Sequence, residues 1–458
     1  MKHPGISRRA FLAAATTTAV AAGCATRMNT AQVIPGKLSP NEKLNIAAIG
    51  AGGMGRANID ACSTENIAVL CDVDDVRAAD TFKAYPNARR YRDFRKMLDA
   101  EAKNLDAVIL ATPDHTHAVI GMAVLRHGKH LYCQKPLAHS LHEVRTLTEA
   151  ARAANVQTQM GNQGHSSEQI RRLCEWVADG AIGPIHEVHA WSDRPVGGDP
   201  WSDFPVMARP AETPPVPETL DWDLWLGPAK YRPYHPIYCP LTWRGWWDFG
   251  TGPLGDMGCH ILDPAFWALK LGHPVSVQAT TTHWEKGVSE ETYPRASIVR
   301  YQFPARNGMP PLKLTWYDGR IKPPIPELFD PQQRLDGNGA LYIGEKGTIL
   351  HGSHGAGNLR LLPKALRDEY RQPPKTLPRV KECSGAHEQD WIRACKDGHP
   401  ASSNFEYGGP LTEMVLLGVL AMRVKDRKLD WDGAAMRFTN DEEANLLIHP
   451  PYREGWTL

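Results

Sequence analysis

Lys43-Leu44-Asn45-Ile46-Ala47-Ala48-Ile49-Gly50-Ala51-Gly52-Gly53-Met54-Gly55 reads as a β-strand running into a phosphate-binding turn. The apolar run ends in G-x-G-x-x-G and Arg56 to Cys62 continue as a helix, the order in which that motif has mechanical meaning. Gly50 allows the tight turn, Gly52 lets a pyrophosphate approach the backbone, and Gly55 lets the helix pack on the strand. Gly53 and Met54 complete the loop at the helix N-terminus, where unpaired N–H groups favour phosphate. Alone, the motif fits a flexible turn equally well. The second strand, Ile67-Ala68-Val69-Leu70-Cys71, separates the two readings because it ends on Asp72. An acid about 20 residues past the first glycine is placed to bind the ribose of NAD, and it would repel the 2′-phosphate of NADP.

The pattern then repeats. Helical stretches at Val76–Tyr85, Phe94–Ala102, His117–Gly128 and Leu141–Ala154 alternate with strands at Leu105–Ala111, His130–Cys133 and Val156–Met160. That alternation predicts an α/β domain with a doubly wound parallel sheet over residues 41–161. From residue 162 to 458 the character changes. A helix at Gln169–Asp179 and a strand at Ile185–Trp191 precede a Pro- and Trp-rich excursion from Arg194 to Trp247. β-like runs follow at Val277–His283, Ala296–Phe303 and Leu312–Tyr317, then a hairpin over Ala340–Leu350 and helices at His387–Cys395 and Leu411–Val424. The expectation is an α+β domain with a largely antiparallel sheet, serving substrate binding and oligomerisation. A chain of 458 residues suits two domains.

A net charge of +1 gives no reason to invoke nucleic acid or an anionic membrane surface. Ser7-Arg8-Arg9-Ala10-Phe11-Leu12 reads as a twin-arginine signal, followed by an apolar run too short to span a bilayer. Ala21-Ala22-Gly23-Cys24 resembles a lipoprotein cleavage box with Cys24 lipidated; simple cleavage to a soluble product is the alternative. Residues 1–31 are therefore assigned to a signal peptide and 32–40 to a linker. The expected location is periplasmic or membrane-anchored, reached through the twin-arginine export machinery. Setting Cys24 aside, the cysteines show no C-x-x-C or Cys/His metal spacing and are expected mainly as buried thiols; no metal site is expected.

Several of these residues together resemble the Gfo/Idh/MocA oxidoreductases, the family of glucose–fructose oxidoreductase and inositol dehydrogenase. The resemblance rests on the glycine loop, Thr112-Pro113 with His117, Lys135-Pro136, Gly255-Asp256-Met257-Gly258-Cys259-His260, and Gly344-Glu345-Lys346-Gly347-Thr348. The family usually has Glu-Lys-Pro where this chain has Gln134-Lys135-Pro136, so the lysine is kept and a cofactor-positioning acid is lost. The resemblance implies an NAD-dependent enzyme oxidising a CH–OH group of a sugar, polyol or glycoside, and a homo-oligomer. It makes His260 the base, gives Asp256 to the substrate or the imidazole, and gives Lys135 to the reacting hydroxyl or the cofactor. Thr112, Pro113, His117 and Gln134 would then meet the cofactor.

Independently of any family, Asp256 and His260 stand four apart and share one helix face, and a histidine suits proton shuttling. The same spacing also suits a structural hydrogen bond, and His117 also reads as a helix-start polar residue. Trp191, Trp201, Trp222, Trp225, Trp243, Trp246 and Trp247 crowd the segment before Asp256. Sugar faces stack on aromatic rings, which nominates Trp243, Trp246 and Trp247 beside Arg244; core filling is the alternative. Asn162, Gln163 and His165, at the domain junction, are further candidates for the cleft. An exported NAD protein is expected to carry its cofactor with it. Two other functions fit the same residues: glycoside hydrolysis through transient oxidation and elimination, and non-catalytic sugar binding or sensing.

Overall fold

The structure is a computed structural model and describes residues 42–196, 203–326, 329, 334–424 and 426–458. The expected signal peptide with Cys24, the expected linker over 32–40, and Trp201 lie outside the described residues.

The first half alternates as its sequence pattern requires: β1 (Asn45–Ile49), α1 (Met54–Ala61), β2 (Asn66–Cys71), α2 (Asp75–Ala84), β3 (Arg89–Tyr91), α3 (Phe94–Glu101), β4 (Ala107–Leu110), α4 (His117–Arg126), β5 (His130–Cys133), α5 (Leu141–Ala154) and β6 (Thr158–Met160). The strands form one parallel sheet in the order β3-β2-β1-β4-β5-β6, the doubly wound arrangement whose order reverses beside β1. β4 and β5 are buried at every position, as strands covered on both faces must be. Helix starts are written locally. Asp74 accepts from the Val76 and Arg77 amides to open α2, and Ser140 with Glu143 closes a capping box on α5.

The second half contains α6 (Glu168–Ala178), β7 (Ile185–Trp191), α7 (Trp222–Leu226), α8 (Gly252–Ile261), α9 (Asp263–Ala268), β8 (Ser276–Thr281), β9 (Ser297–Phe303), β10 (Leu312–Tyr317), β11 (Gly339–Gly344), β12 (Thr348–His351), β13 (Arg360–Leu362), α10 (Lys364–Glu369), α11 (Ala386–Asp397), α12 (Phe405–Arg423), β14 (Lys428–Asp432), β15 (Arg437–Phe438) and α13 (Glu442–Asn445). Its nine-stranded sheet runs β13-β12-β11-β7-β10-β9-β8-β14-β15. Every pairing is antiparallel except β7 with β10, so the expected mixture of antiparallel sheet and covering helices is what forms.

One helix departs from the sequence reading. α12 starts at Phe405, not Leu411, and carries Pro410 inside it. Gly408-Gly409-Pro410 looks like a breaker, yet the Asn404 side chain caps the Glu406 amide. A Cβ on Gly408 or Gly409 would press on Met160 or Thr148, so the glycines are what let α12 lie close to the first half. α11, read with the second domain, packs against the parallel sheet. Its buried Glu388 accepts from Asn58 Nδ2 at 2.7 Å and from Tyr132 Oη at 3.1 Å. All described cysteines are free thiols; Cys62, Cys71, Cys133, Cys174, Cys259 and Cys395 are buried, Cys239 is half-buried and Cys383 is exposed. Among the described residues no helix is long and apolar enough to cross a membrane, and no three His, Cys, Asp or Glu side chains gather as a metal site.

Candidate active site

A cavity of about 260 Å³ opens at the C-terminal ends of the parallel strands, where open α/β sheets receive ligands. One end is walled by Gly50, Gly52, Met54 and Asp72, the middle by Thr112, Pro113, Gln134 and Lys135, and the far end by Asp256, His260 and side chains of the second half.

The glycine loop fits a dinucleotide on its own geometry. Gly50 sits at φ 85°, and a Cβ there would lie 2.5 Å from the Ala111 carbonyl oxygen. A Cβ on Gly55 would collide with the Gly50 carbonyl, so only glycine lets α1 approach the turn this closely. Gly53 and Gly55 do not line the cavity; they shape the loop that does. Asp72 is held by the Ala51 amide at 2.7 Å and the Asp74 amide at 3.0 Å. Burial nevertheless lifts its carboxyl to about 6.

His117 is not a cavity residue. Its Nδ1 faces the Pro136 carbonyl at 2.8 Å and its Nε2 the Thr112 carbonyl at 2.8 Å. It ties together the two turns that carry Thr112-Pro113 and Lys135, a positioning role that its place at the start of α4 allows. Gln134 does line the cavity. Because Glu388 can only accept, Asn58 turns its amide nitrogen to it and leaves its carbonyl for Gln134 Nε2 at 2.9 Å. Gln134 Oε1 is thereby turned to the Lys135 amide, 3.4 Å away.

The far end is organised by Asp256. Lys135 Nζ donates to both its carbonyl oxygen and its Oδ1 at 2.7 Å. Arg244 Nε donates to Oδ1 at 3.3 Å, and Arg194 pairs with Oδ2. Among the described residues Asp256 thus takes its bonds from three cations and not from His260, which shares the helix face without a hydrogen bond to it. Burial first, and then the Arg244 and Arg194 guanidiniums, bring the Lys135 ammonium down to about 7. Burial also brings Arg244 down to about 10. His260 lies 4.0 Å, ring to ring, from His354, and its buried Nδ1 has no partner among the described residues. Burial, then His354 and Lys135, push its imidazolium well below the ordinary range, so it is neutral.

The other sequence candidates divide between the cavity and the core. Trp243 and Arg244 line the cavity, the guanidinium 4.2 Å above the indole. Trp246 does not; it is buried edge-on against Tyr238. Trp247 packs on Tyr293 with Arg423 over it, also away from the cavity. Asn162 is fully buried and accepts from Ser403, while His165 is buried between Trp267 and Tyr407 and bonded to Asp263 at 2.9 Å. Gln163 alone of that junction reaches the wall. Aromatic and polar side chains near a domain junction also build cores, and here core packing takes most of them. Sequence reasoning missed Arg194 and His354. Arg194 follows the C-terminal end of β7, and His354 sits in the glycine-flanked turn after β12; position at a strand end was the one available signal.

A cavity with a glycine-loop cradle and Asp72 at one end and a lysine–aspartate–histidine group at the other places the first half among the dinucleotide-binding α/β folds. Family models match accordingly: an oxidoreductase NAD-binding Rossmann fold over residues 44–162, and the same family's C-terminal alpha/beta domain over 169–295 and 374–458. The chain belongs to the Gfo/Idh/MocA oxidoreductase family, and its first domain is that family's NAD-binding Rossmann fold.

Among curated relatives, it is 24% identical to levoglucosan dehydrogenase of Pseudarthrobacter phenanthrenivorans, over 53% of this chain and 55% of that one. It is 27% identical to myo-inositol 2-dehydrogenase of Thermotoga maritima, over 33% of this chain and 46% of that one. The alignments thus span about half the length of these relatives. In fold it is similar to the WlbA dehydrogenase of Bordetella pertussis, solved with NADH and UDP-GlcNAcA (TM-score 0.60, 16% identity, 85% of this chain and 99% of that one).

Proposed function

We propose that this protein oxidises a secondary hydroxyl of a sugar or polyol to a ketone with NAD. The observation that carries this reading is Lys135 held by Asp256 beside neutral His260, in the same cavity as the glycine loop. Gly50, Gly52, Met54 and Asp72 would hold the adenosine and pyrophosphate, and Thr112, Pro113, Gln134 and Lys135 the nicotinamide end. Bound NAD supplies the acceptor for the hydride and its two electrons.

The hydroxyl proton is left to the protein. An ammonium has three N–H directions, and Asp256 occupies two of those of Lys135. In the neutral amine the remaining direction is a lone pair, available to a substrate hydroxyl. An imidazole held neutral as firmly as that of His260 is a weak base, whereas a lysine near neutrality matches ambient pH. Lys135 is therefore the proton acceptor in this reading, Asp256 steadies the ammonium that results, and His260 hydrogen-bonds the hydroxyl. The base must be uncharged, so kcat/KM for oxidation should rise with pH through about 7 and then level off. That midpoint should persist in His260→Asn; a profile flat from pH ~6 to ~8 would return the proton to His260.

The same reading includes export with NAD aboard and turnover without its release, supported by the Arg8-Arg9 signal and by the anchoring of Asp72. Nucleotide released by denaturing the purified full-length protein should be NAD in near-stoichiometric amount; protein purified free of nucleotide would remove that part of the proposal.

A further inference from the structure

Glu388 is a buried carboxylate for which the chemistry proposed above has no use. It sits on α11, and among the described residues no cation pairs with it. It accepts from Asn58 Nδ2 at 2.7 Å and from Tyr132 Oη at 3.1 Å. Burying a charge without a counter-ion is costly, and what this one supplies is direction. A carboxylate only accepts, so Asn58 gives it the amide nitrogen and keeps the carbonyl for Gln134 Nε2, 2.9 Å away. Gln134 is left with Oε1, which holds two lone pairs and one long bond, from the Lys135 amide at 3.4 Å. Packing alone does not choose this sense. The Gln134 amide lies so close to Gly161 that a Cβ there would stand 2.7 Å from its Cδ, which fixes the plane of the amide. Exchanging Oε1 and Nε2 within that plane leaves the shape unchanged, so only the chain of hydrogen bonds back to Glu388 tells the two apart. Asn58, Tyr132, Gln134 and Glu388 are all buried, and Gln134 is the member that lines the cavity, beside Lys135.

We propose that Glu388 is a positioning residue for the cofactor: through Asn58 it sets the sense of the Gln134 amide, so that an acceptor and not a donor meets the carboxamide N–H of the nicotinamide. This rests on the reading that places the nicotinamide end of NAD at Gln134, and it adds a determinant on a distant helix.

3-Acetylpyridine adenine dinucleotide carries a methyl group where NAD has the carboxamide nitrogen, and its ring bears the same charge. The ratio of the two affinities therefore isolates the contact. Full-length holoprotein is dialysed against mixtures of the two nucleotides, and those retained are quantified by mass spectrometry. The wild type should favour NAD by about tenfold, the effect of one hydrogen bond. In Glu388→Gln both ends of the relay can donate or accept, so the two senses of Gln134 come close in energy. The analogue can then meet the reversed sense, and the preference should fall to about twofold. Combining Glu388→Gln with Gln134→Glu should restore it, because the carboxylate then stands at the cavity end and the relay is satisfied in the opposite direction. That double variant decides the matter if Glu388→Gln alone does not fold. A wild type indifferent to the two nucleotides, an unchanged preference in Glu388→Gln, or a double variant without recovery each overturns the proposal and leaves the oxidoreductase reading intact. Protein that holds neither nucleotide removes the NAD reading of the cavity and the proposal with it.

Discussion

Replacing Lys135 with Met should lower kcat/KM by about 10³-fold or more while NAD binds as before. The lysine supplies both a base poised near pH 7 and, once protonated, a positive charge where an alkoxide would develop. Methionine has similar length and none of that chemistry. The variant should also fold well. Asp256 keeps Arg194 and Arg244 as partners, and a buried cation has been removed from a site where burial already disfavours it. Stopped-flow reduction of NAD, together with a binding titration of the nucleotide, separates the outcomes. A variant with slow chemistry and unchanged NAD affinity supports the role, and a loss of NAD affinity as large as the loss of rate would make Lys135 a cofactor contact only.

Asp72→Ala carries the second large effect, and it falls on binding. A carboxylate accepting from ribose hydroxyls contributes about 1.5–3 kcal/mol per charged hydrogen bond, so NAD affinity should drop by roughly 10²-fold. The wild-type affinity should depend on pH in a defined direction. Asp72 titrates near 6 in the nucleotide-free protein, and its charged form accepts from ribose hydroxyls more strongly than the protonated acid does. NAD should therefore bind fully above pH 6 and progressively more weakly as pH falls through it. Fluorescence titration of NAD across that range checks the point, and the dependence should vanish in the alanine variant. A pH-independent wild type would show that Asp72 does not meet the ribose.

The nucleotide half of this molecule was legible because its signals are local. The run into Gly50-Ala51-Gly52, the Asp72 at the end of β2 and the alternation of strand and helix all follow from short-range backbone demands. Asp256 and His260 were legible as a helical pair for the same reason. Their relation was not. Which of Lys135, Asp256 and His260 bond to one another depends on segments far apart in sequence: the end of β5, α8, and the turn after β7 that brings Arg194 to Asp256. The tryptophans left two readings open, and both occur. Indole rings serve sugars and cores equally; all three are buried, and only their position relative to the cavity separates Trp243 at the wall from Trp246 and Trp247 behind it. The start of α12 was placed too late, because the Asn404 cap and the contacts of Gly408 and Gly409 outweigh the one N–H missing at Pro410.

The central claim is that one cavity brings NAD and a sugar hydroxyl to Lys135. Its most direct measurement is a single turnover: NAD-loaded full-length protein is mixed with a panel of sugar acids, sugar phosphates and polyols while reduced nicotinamide is followed by absorbance. At least one member should reduce the bound NAD rapidly in the wild type and hardly at all in Lys135→Met carrying the same NAD. Reduction at equal speed in both proteins, or none with any member despite full NAD loading, would contradict it.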